Sequence, residues 1–221
     1  FVMNKPVQGC KDIDMVVSDN FNGDTLDLKH WQWNHNPAND FWKLSDGRLR
    51  LTTCRVVDNL YMAPNTLTQR MEGPKCSAYI EIDFSGMRDG DRAAFNGHSG
   101  IMAIEKDNSK TWLTVTQTQV NLTEKEHLVS SVDTQEKARI SITGNRIFLR
   151  IDGDFNLGRD IATFYYSTDG KKWTAIGGEF KMKFDYRRLF MGTRYALFNY
   201  ATKQPGGHVN IEKFVYKKEE K

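Results

Sequence analysis

Apolar and polar residues alternate with a period of two through most of the chain. Between positions 78 and 84, for example, Ala78, Ile80, Ile82 and Phe84 alternate with residues that tolerate solvent. This period is typical of a strand with one buried face. The same alternation recurs in further segments, at 138–142, 146–151, 180–184, 195–198 and 209–216. Because no segment keeps a period of 3.6 for more than about ten residues, the length of an ordinary helix, the pattern predicts an all-β fold.

Tight turns join several of these segments. Gly144-Asn145 separates two of them, and Asp46-Gly47 and Asp169-Gly170 occupy similar corners. Glycine and asparagine accept the positive φ angles that two-residue hairpin loops require. We therefore expect a β-hairpin at each of these corners, including one that pairs the segment 138–142 with the segment 146–151.

Short antiparallel strands joined by such turns indicate a sandwich or a barrel. The chain has 221 residues, of which 39% are hydrophobic, and this suffices for one sizeable core. Because the chain starts at Phe1 and its first residues are irregular, we expect it to be a piece of a longer protein. Residues 1–15 are expected to form a linker from an upstream domain. Residues 16–217 are expected to form a single antiparallel β-sandwich.

The charge balance and the cysteines bear on the possible partners. There are 31 Lys and Arg against 28 Asp and Glu, and the net charge of +3 forms no basic stripe of the kind that nucleic acid requires. No apolar stretch approaches the roughly 20 residues of a membrane span. We therefore expect neither a nucleic-acid partner nor a membrane span. Cys10, Cys54 and Cys76 allow one disulfide with a free thiol or three thiols.

The segment 31–42 is the richest in side chains suited to binding. It combines aromatic rings with polar groups: Trp31, Trp33, Asn34, His35 and Trp42. Sugars stack on aromatic rings, while amides and charged groups hydrogen-bond their hydroxyls. The segment is therefore a candidate carbohydrate site. The alternative is that the tryptophans fill the core. By alternation Trp31 and Trp33 face the same side, which leaves Gln32 and Asn34 on the other.

Two further stretches are candidates for the same role. The strand-like segment 65–70 carries Asn65, Gln69 and Arg70 around one apolar residue, and Asn199 and Tyr200 are expected to lie in a loop that bears an aromatic residue. A polar strand on a concave sheet face would suit the recognition of hydroxyl groups. The alternative for the segment 65–70 is an ordinary solvated edge strand.

Catalytic and metal-binding patterns are weak in this sequence. The histidines are scattered without metal-ligand spacing, and nothing in the spacing of the acidic residues selects a glycosidase pair. The stretch 152–160 begins like a calcium loop, but it lacks the required glycine and the final glutamate. A solvated aspartate-rich turn is the simpler interpretation. A structural calcium bound elsewhere stays possible, and no other cofactor is expected.

Several ordered blocks of sequence resemble a known family. They are residues 31–37 with Phe41-Trp42, then 65–70, 73–76, 83–93, 164–170, 197–202 and Gly206-Gly207. Together they look like the concanavalin A-like module found C-terminal to the catalytic domain of family 43 glycoside hydrolases. Those enzymes are mainly β-xylosidases and α-L-arabinofuranosidases. The resemblance implies a concanavalin A-like jelly roll.

The resemblance also implies the partners of the chain. A family member packs against an upstream catalytic propeller, which holds the catalytic carboxylates, and some relatives bind xylan. We therefore expect a non-catalytic module that binds xylan or arabinoxylan, and a secreted or periplasmic location. The first alternative is a structural module that buttresses the propeller and borders its active site. The second is a stand-alone glycanase, for which no supporting strand of carboxylates is found.

Overall fold

The computed structural model of the chain describes residues 8–9, 13–97, 100–122, 129–182 and 192–219. Two seven-stranded antiparallel sheets pack face to face, which confirms the predicted all-β sandwich. The described part contains no α-helix. It has two short 3₁₀ helices, Asn39–Phe41 and Leu60–Met62.

The first sheet contains the strands that carry most of the candidate site residues. In spatial order its strands are β1 (Gln32–Trp33), β4 (Leu67–Arg70), β13 (Arg194–Ala201), β6 (Asp91–Gly97), β7 (Gly100–Asp107), β8 (Lys110–Leu122) and β9 (Val129–Ser141). β4 pairs with β1 on one side and with β13 on the other. The polar segment 65–70 is therefore not the edge strand that one interpretation of the sequence assumed.

The second sheet closes the other side of the core. In spatial order its strands are β12 (Thr174–Lys181), β11 (Ile161–Ser167), β10 (Arg146–Asp154), β5 (Lys75–Asp83), β14 (His208–Lys218), β3 (Leu49–Thr52) and β2 (Trp42–Leu44). The period-two pattern predicts its faces well. In β10, for example, Ile147, Leu149 and Ile151 are buried while the residues between them are partly exposed.

One predicted hairpin is wrong and two are confirmed. β9 ends in the first sheet and β10 begins in the second, so the corner at Gly144-Asn145 crosses from one sheet to the other. Both strands bury a face against the same core from opposite sides, and a period of two cannot distinguish this crossing from a hairpin. The Asp46-Gly47 corner does join paired strands, β2 and β3, and the Asp169-Gly170 corner joins β11 and β12.

The core between the sheets is rich in stacked aromatic rings. Phe95 and Tyr195 stack with ring centroids 5.6 Å apart, and Phe214 meets both rings edge-on. A smaller apolar cluster lies on the outer face of the first sheet, where Leu60 packs with Phe198. The segment around the second 3₁₀ helix therefore covers the middle of that face.

The beginning of the described chain changes character near the expected linker. Val16 is buried in the core, whereas Ile13 and Met15 are exposed. Residues 1–7 and 10–12 lie outside the described part, so the boundary between residues 15 and 16 stays a prediction. Cys54 and Cys76 are free thiols. Cys10 lies outside the described residues.

Candidate functional site

Trp31 lies inside the sandwich. Its side chain is 1% exposed, and its indole Nε1 donates a hydrogen bond to Asp19 Oδ2 at 2.7 Å. The ring contacts Phe21 and Phe214, with centroid distances of 5.8 and 5.1 Å. A ring enclosed in this way offers no face to a sugar, so in this structure Trp31 is a core residue.

Trp33 and Trp42 lie at one open side of the sandwich. β1 is the edge of the first sheet and β2 is the edge of the second, and the two indole rings meet with centroids 5.1 Å apart. Both rings are half-buried and pack against the core. The indole Nε1 of Trp42 donates to Asn39 Oδ1 at 3.2 Å. The pair closes this side of the core and leaves ring edges at the surface.

Asn34 and His35 are at the surface, as the alternation predicts for Asn34. Gln32 is exposed as well, while Trp33 between them turns inward. His35 Nε2 lies 2.8 Å from the carbonyl oxygen of Tyr61, a contact that requires the proton on Nε2. The carbonyl of Tyr61 therefore fixes the imidazole above the segment that covers the first sheet.

Asn65 and Gln69 are buried, and their side-chain amides bond to backbone groups as a neighbouring strand would. Asn65 Oδ1 accepts from the backbone N–H of Ala38 at 2.9 Å, and its Nδ2 donates to the carbonyl of Ala38 at 3.2 Å. Gln69 makes the same two bonds with Val17, both at 3.1 Å. Each amide satisfies the backbone of an irregular segment, because a buried peptide group needs a partner. Neither amide is presented to solvent.

Asn199 and Tyr200 also differ from the expected binding loop, because both belong to β13. Asn199 is buried between the sheets, and its Nδ2 donates to the carbonyl oxygen of Leu51 at 2.9 Å. Tyr200 is half-buried against Phe198, and burial raises the pKa of its hydroxyl to about 12. These two residues hold the fold together rather than line an open surface.

The exposed candidates converge on the outer face of β1 and β4. Gln32 and Thr68 are direct partners across the two strands, and the Thr68 hydroxyl donates to the carbonyl of Gln32 at 2.9 Å. Arg70 follows on the same face of β4 and is exposed. We call this surface the β1–β4 rim, and its members are Gln32, Asn34, His35, Thr68, Arg70 and Arg194.

Arg194 is the rim residue that the sequence did not indicate. It is the partner of Arg70 in the antiparallel register of β13 with β4. Its Nη1 donates to the Thr68 hydroxyl oxygen at 3.2 Å. Burial lowers the pKa of the Arg194 guanidinium, and the positive charge of Arg70 lowers it further. Strand register brings these residues together, and a single sequence does not reveal register.

The far end of the same outer face carries charges that neutralise one another. Arg92 Nη2 lies 2.7 Å from Asp107 Oδ2, and Arg139 Nη2 lies 3.1 Å from Glu105 Oε2. Glu105 Oε1 also lies 3.6 Å from Arg92 Nε. The charges here therefore neutralise one another, whereas Arg70 and Arg194 of the β1–β4 rim have no carboxylate partner among the described residues.

The described residues do not assemble an acidic metal centre. Among them, no group of three or more His, Cys, Asp or Glu side chains is arranged to hold a metal ion. In the aspartate-rich turn, Asp152 pairs with Arg150, and Asp154 accepts from the backbone N–H of Asn156. These contacts fit the solvated turn. No helix of the described chain is long and apolar enough to cross a membrane.

The fold and the rim define a class of protein: an all-β sandwich module of the concanavalin A type with a polar edge surface. The profile of one family, the β-xylosidase C-terminal concanavalin A-like domain, matches residues 18–217. The chain belongs to this family.

Its relatives are larger proteins. A β-xylosidase of Formosa agariphila is 27% identical over 239 residues, which is 96% of this chain and 37% of that protein. A relative from Xylanibacter ruminicola is 26% identical over 183 residues, covering 82% of this chain and 31% of its own length. The chain thus spans about a third of the length of these curated relatives.

Solved structures agree with this assignment. A bifunctional GH43-CE protein of Bacteroides eggerthii superposes with a TM-score of 0.82 at 35% identity, over 94% of this chain and 26% of that one. A second match is a GH43 glycoside hydrolase engineered to display endo-xylanase and exo-arabinofuranosidase activity. Its TM-score is 0.84 at 31% identity, over 97% of this chain and 43% of that one.

Proposed function

We propose that the chain is a non-catalytic accessory module of a family 43 glycoside hydrolase and that it binds xylan or arabinoxylan. The observation that carries the proposal is the β1–β4 rim, where Gln32, Asn34 and His35 stand exposed beside the edges of Trp33 and Trp42. Amides and imidazoles can hydrogen-bond sugar hydroxyls, and indole edges supply apolar contact. The β-xylosidase, endo-xylanase and exo-arabinofuranosidase activities of the relatives support xylan and its arabinose branches as the ligand.

In this proposal, a domain upstream of the chain carries out catalysis. The curated relatives are about three times as long as the matched region, and the family is defined as C-terminal. An upstream propeller would hold the catalytic carboxylates. We therefore expect the 221-residue chain alone to hydrolyse no xylan. Because polysaccharide lies outside the cell, a secreted or periplasmic location follows from the proposal.

The test is a titration of the chain with soluble arabinoxylan and xylo-oligosaccharides by affinity gel electrophoresis and calorimetry. Saturable binding in the micromolar to millimolar range is expected for an open site. Gln32→Ala and Asn34→Ala should weaken it. Gln204→Ala is the matched control, since Gln204 is exposed in the loop beyond the other end of β13. Equal affinity in all variants would remove the rim from the proposal.

A second candidate is a structural role against the upstream propeller, favoured by one observation. Ile13, Met15 and Leu28 are 75%, 56% and 67% exposed, and Ile13 and Leu28 line the same shallow groove. Apolar side chains grouped at a surface often mark an interaction site. In the full-length enzyme, Leu28→Ser should then lower the thermal stability of the catalytic domain. In the isolated chain the same substitution should have little effect.

A further inference from the structure

Two arginines face each other at the rim, and no described residue supplies a counter-charge. Arg70 and Arg194 are direct partners in the antiparallel pairing of β4 with β13, and both point to the outer face because Gln69 and Tyr195 next to them are buried. Like charges directly opposite each other on neighbouring strands are destabilising. The pair therefore weakens the folded chain unless a negative charge joins it.

Several other arginines of the sandwich form an ion pair with a carboxylate. Within the described part of the chain, neither Arg70 nor Arg194 forms an ion pair, and Arg70 Nη1 has only the sulfur of Met15 at 3.8 Å. Six arginines elsewhere pair with carboxylates: Arg48, Arg92, Arg139, Arg146, Arg150 and Arg159. Three more, Arg50, Arg55 and Arg88, donate to neutral oxygens instead. Arg70 and Arg194 differ from these three because they are direct partners across two strands, so that two positive charges adjoin with no carboxylate among the described residues.

The surroundings of the pair indicate which anion it suits. Two guanidinium groups side by side offer planar pairs of donors that match one carboxylate. Gln32 and Asn34 present exposed side-chain amides beside the pair, which suit neutral hydroxyl groups. The buried Thr68 hydroxyl donates to the Gln32 carbonyl and accepts from Arg194. The rim therefore combines a site for one carboxylate with amide groups that can bind hydroxyls. A sugar acid carries both of these groups.

We propose that Arg70 and Arg194 together bind the carboxylate of a uronic acid substituent on the xylan chain. The inference rests on the proposed glycan-binding function and narrows the ligand to acidic xylan. Thr68 positions the Arg194 guanidinium, and Gln32 and Asn34 contact neighbouring hydroxyls. A carboxylate on the upstream domain is the competing occupant.

The experiment compares the binding of three polysaccharides to the chain: glucuronoxylan, the same polymer after reduction of its carboxyl groups, and neutral arabinoxylan. Glucuronoxylan should bind about tenfold more tightly than its reduced form, since charge-assisted bonds are the stronger ones. The preference should shrink when salt is raised, because the site is open to solvent. Equal affinity for the reduced and unreduced polymers would overturn the inference and leave the proposed function intact.

Arginine variants locate the effect. Arg70→Gln and Arg194→Gln should each abolish the preference for glucuronoxylan over its carboxyl-reduced form. Arg70→Lys should keep part of the preference, since it retains charge and loses the paired donors. Arg159→Gln, in the turn between β10 and β11, removes the same charge and should leave the preference unchanged. Because Arg70→Gln relieves repulsion, its melting temperature should equal or exceed that of the parent chain.

Three outcomes contradict the inference in different ways. If no xylan binds the parent chain, both the proposed function and the acidic site fail. If xylan binds but the arginine variants keep the full preference, the carboxylate is recognised elsewhere. If the arginine substitutions leave glucuronoxylan binding unchanged but make the full-length enzyme more susceptible to limited proteolysis, the arginines belong to a contact with the upstream domain.

Discussion

The indole N–H of Trp31 donates to the carboxylate of Asp19 at 2.7 Å, and this bond joins the start of the sandwich to its core. Asp19 also pairs through its backbone with Phe214 of β14, with N–O distances of 2.7 and 2.8 Å. The ring of Trp31 packs on Phe214 as well. Trp31 thus ties a segment outside the regular strands to both sheets.

Replacing this ring should therefore be costly. Trp31→Ala is expected to lower the free energy of unfolding by about 3–5 kcal/mol, the range for a buried Trp or Phe. Urea unfolding followed by circular dichroism measures it. Trp42→Ala is the control, because the Trp42 ring is half-exposed and should cost clearly less. Equal losses for the two variants would contradict the core assignment of Trp31.

The sequence predicted which face of a strand is buried, but it did not predict the pairing of strands. Alternation placed Ile147, Leu149 and Ile151 inward correctly, because burial of one face imposes the period. It could not show that β9 and β10 lie in different sheets. Pairing depends on contacts that are distant along the chain, and a corner with favourable turn residues fits both arrangements.

The candidate site was predictable only in part, for a similar reason. Asn34 is exposed as the alternation predicts, and His35 and Arg70 are exposed as well, whereas Asn65, Gln69 and Asn199 are buried. These amides bond to backbone groups that lie 27, 52 and 148 positions away. Composition alone does not distinguish a polar side chain that bonds to a distant buried backbone group from a polar side chain that binds a ligand.

Gly207 lies where a side chain cannot be accommodated. A Cβ at this position would overlap the carboxylate of Asp91 and lie 2.9 Å from the backbone nitrogen of Arg88. We expect Gly207→Ala to lower the free energy of unfolding by about 1–3 kcal/mol, the usual cost of overpacking. Gly192→Ala is the matched control, because its added Cβ has no atom of the described residues within 4 Å, apart from its chain neighbours. Identical thermal stabilities of the two variants would contradict this close approach.

The two described thiols should differ sharply in reactivity. Cys76 is buried, its sulfur accepts from the Tyr195 hydroxyl at 3.2 Å, and burial raises the pKa of the thiol. Cys54 is partly exposed. Since the thiolate is the reactive form, iodoacetamide should modify Cys54 well before Cys76 in the native chain. Peptide mapping by mass spectrometry measures both rates, which should become similar in denaturant. Equal native rates would contradict the burial of Cys76.

Asp91 is a buried carboxyl group without a full set of partners. Its Oδ2 accepts from the backbone N–H of Arg88 at 2.7 Å, while Oδ1 has no partner among the described residues. Burial raises the pKa of Asp91 from 3.8 to about 6. The folded chain therefore holds this proton more tightly than the unfolded chain does. The resulting contribution to stability is fully present below about pH 4 and is lost as the pH rises through 6.

Asp91→Asn should remove this pH dependence. One pKa unit corresponds to about 1.4 kcal/mol, so between pH 4 and pH 7 the parent chain should lose on the order of 2–3 kcal/mol relative to the variant. Urea unfolding of both proteins at several pH values measures the difference. Asp169 is the opposite case, because the backbone N–H groups of Lys172 and Lys171 and the Ser167 hydroxyl lower its pKa to about 2. Asp169→Asn should therefore destabilise the chain above about pH 4, and its difference from the parent should shrink as the pH falls through about 2, where Asp169 takes up a proton. If the free energy of unfolding changes with pH in the same way for Asp91→Asn and for the parent, Asp91 does not have the raised pKa.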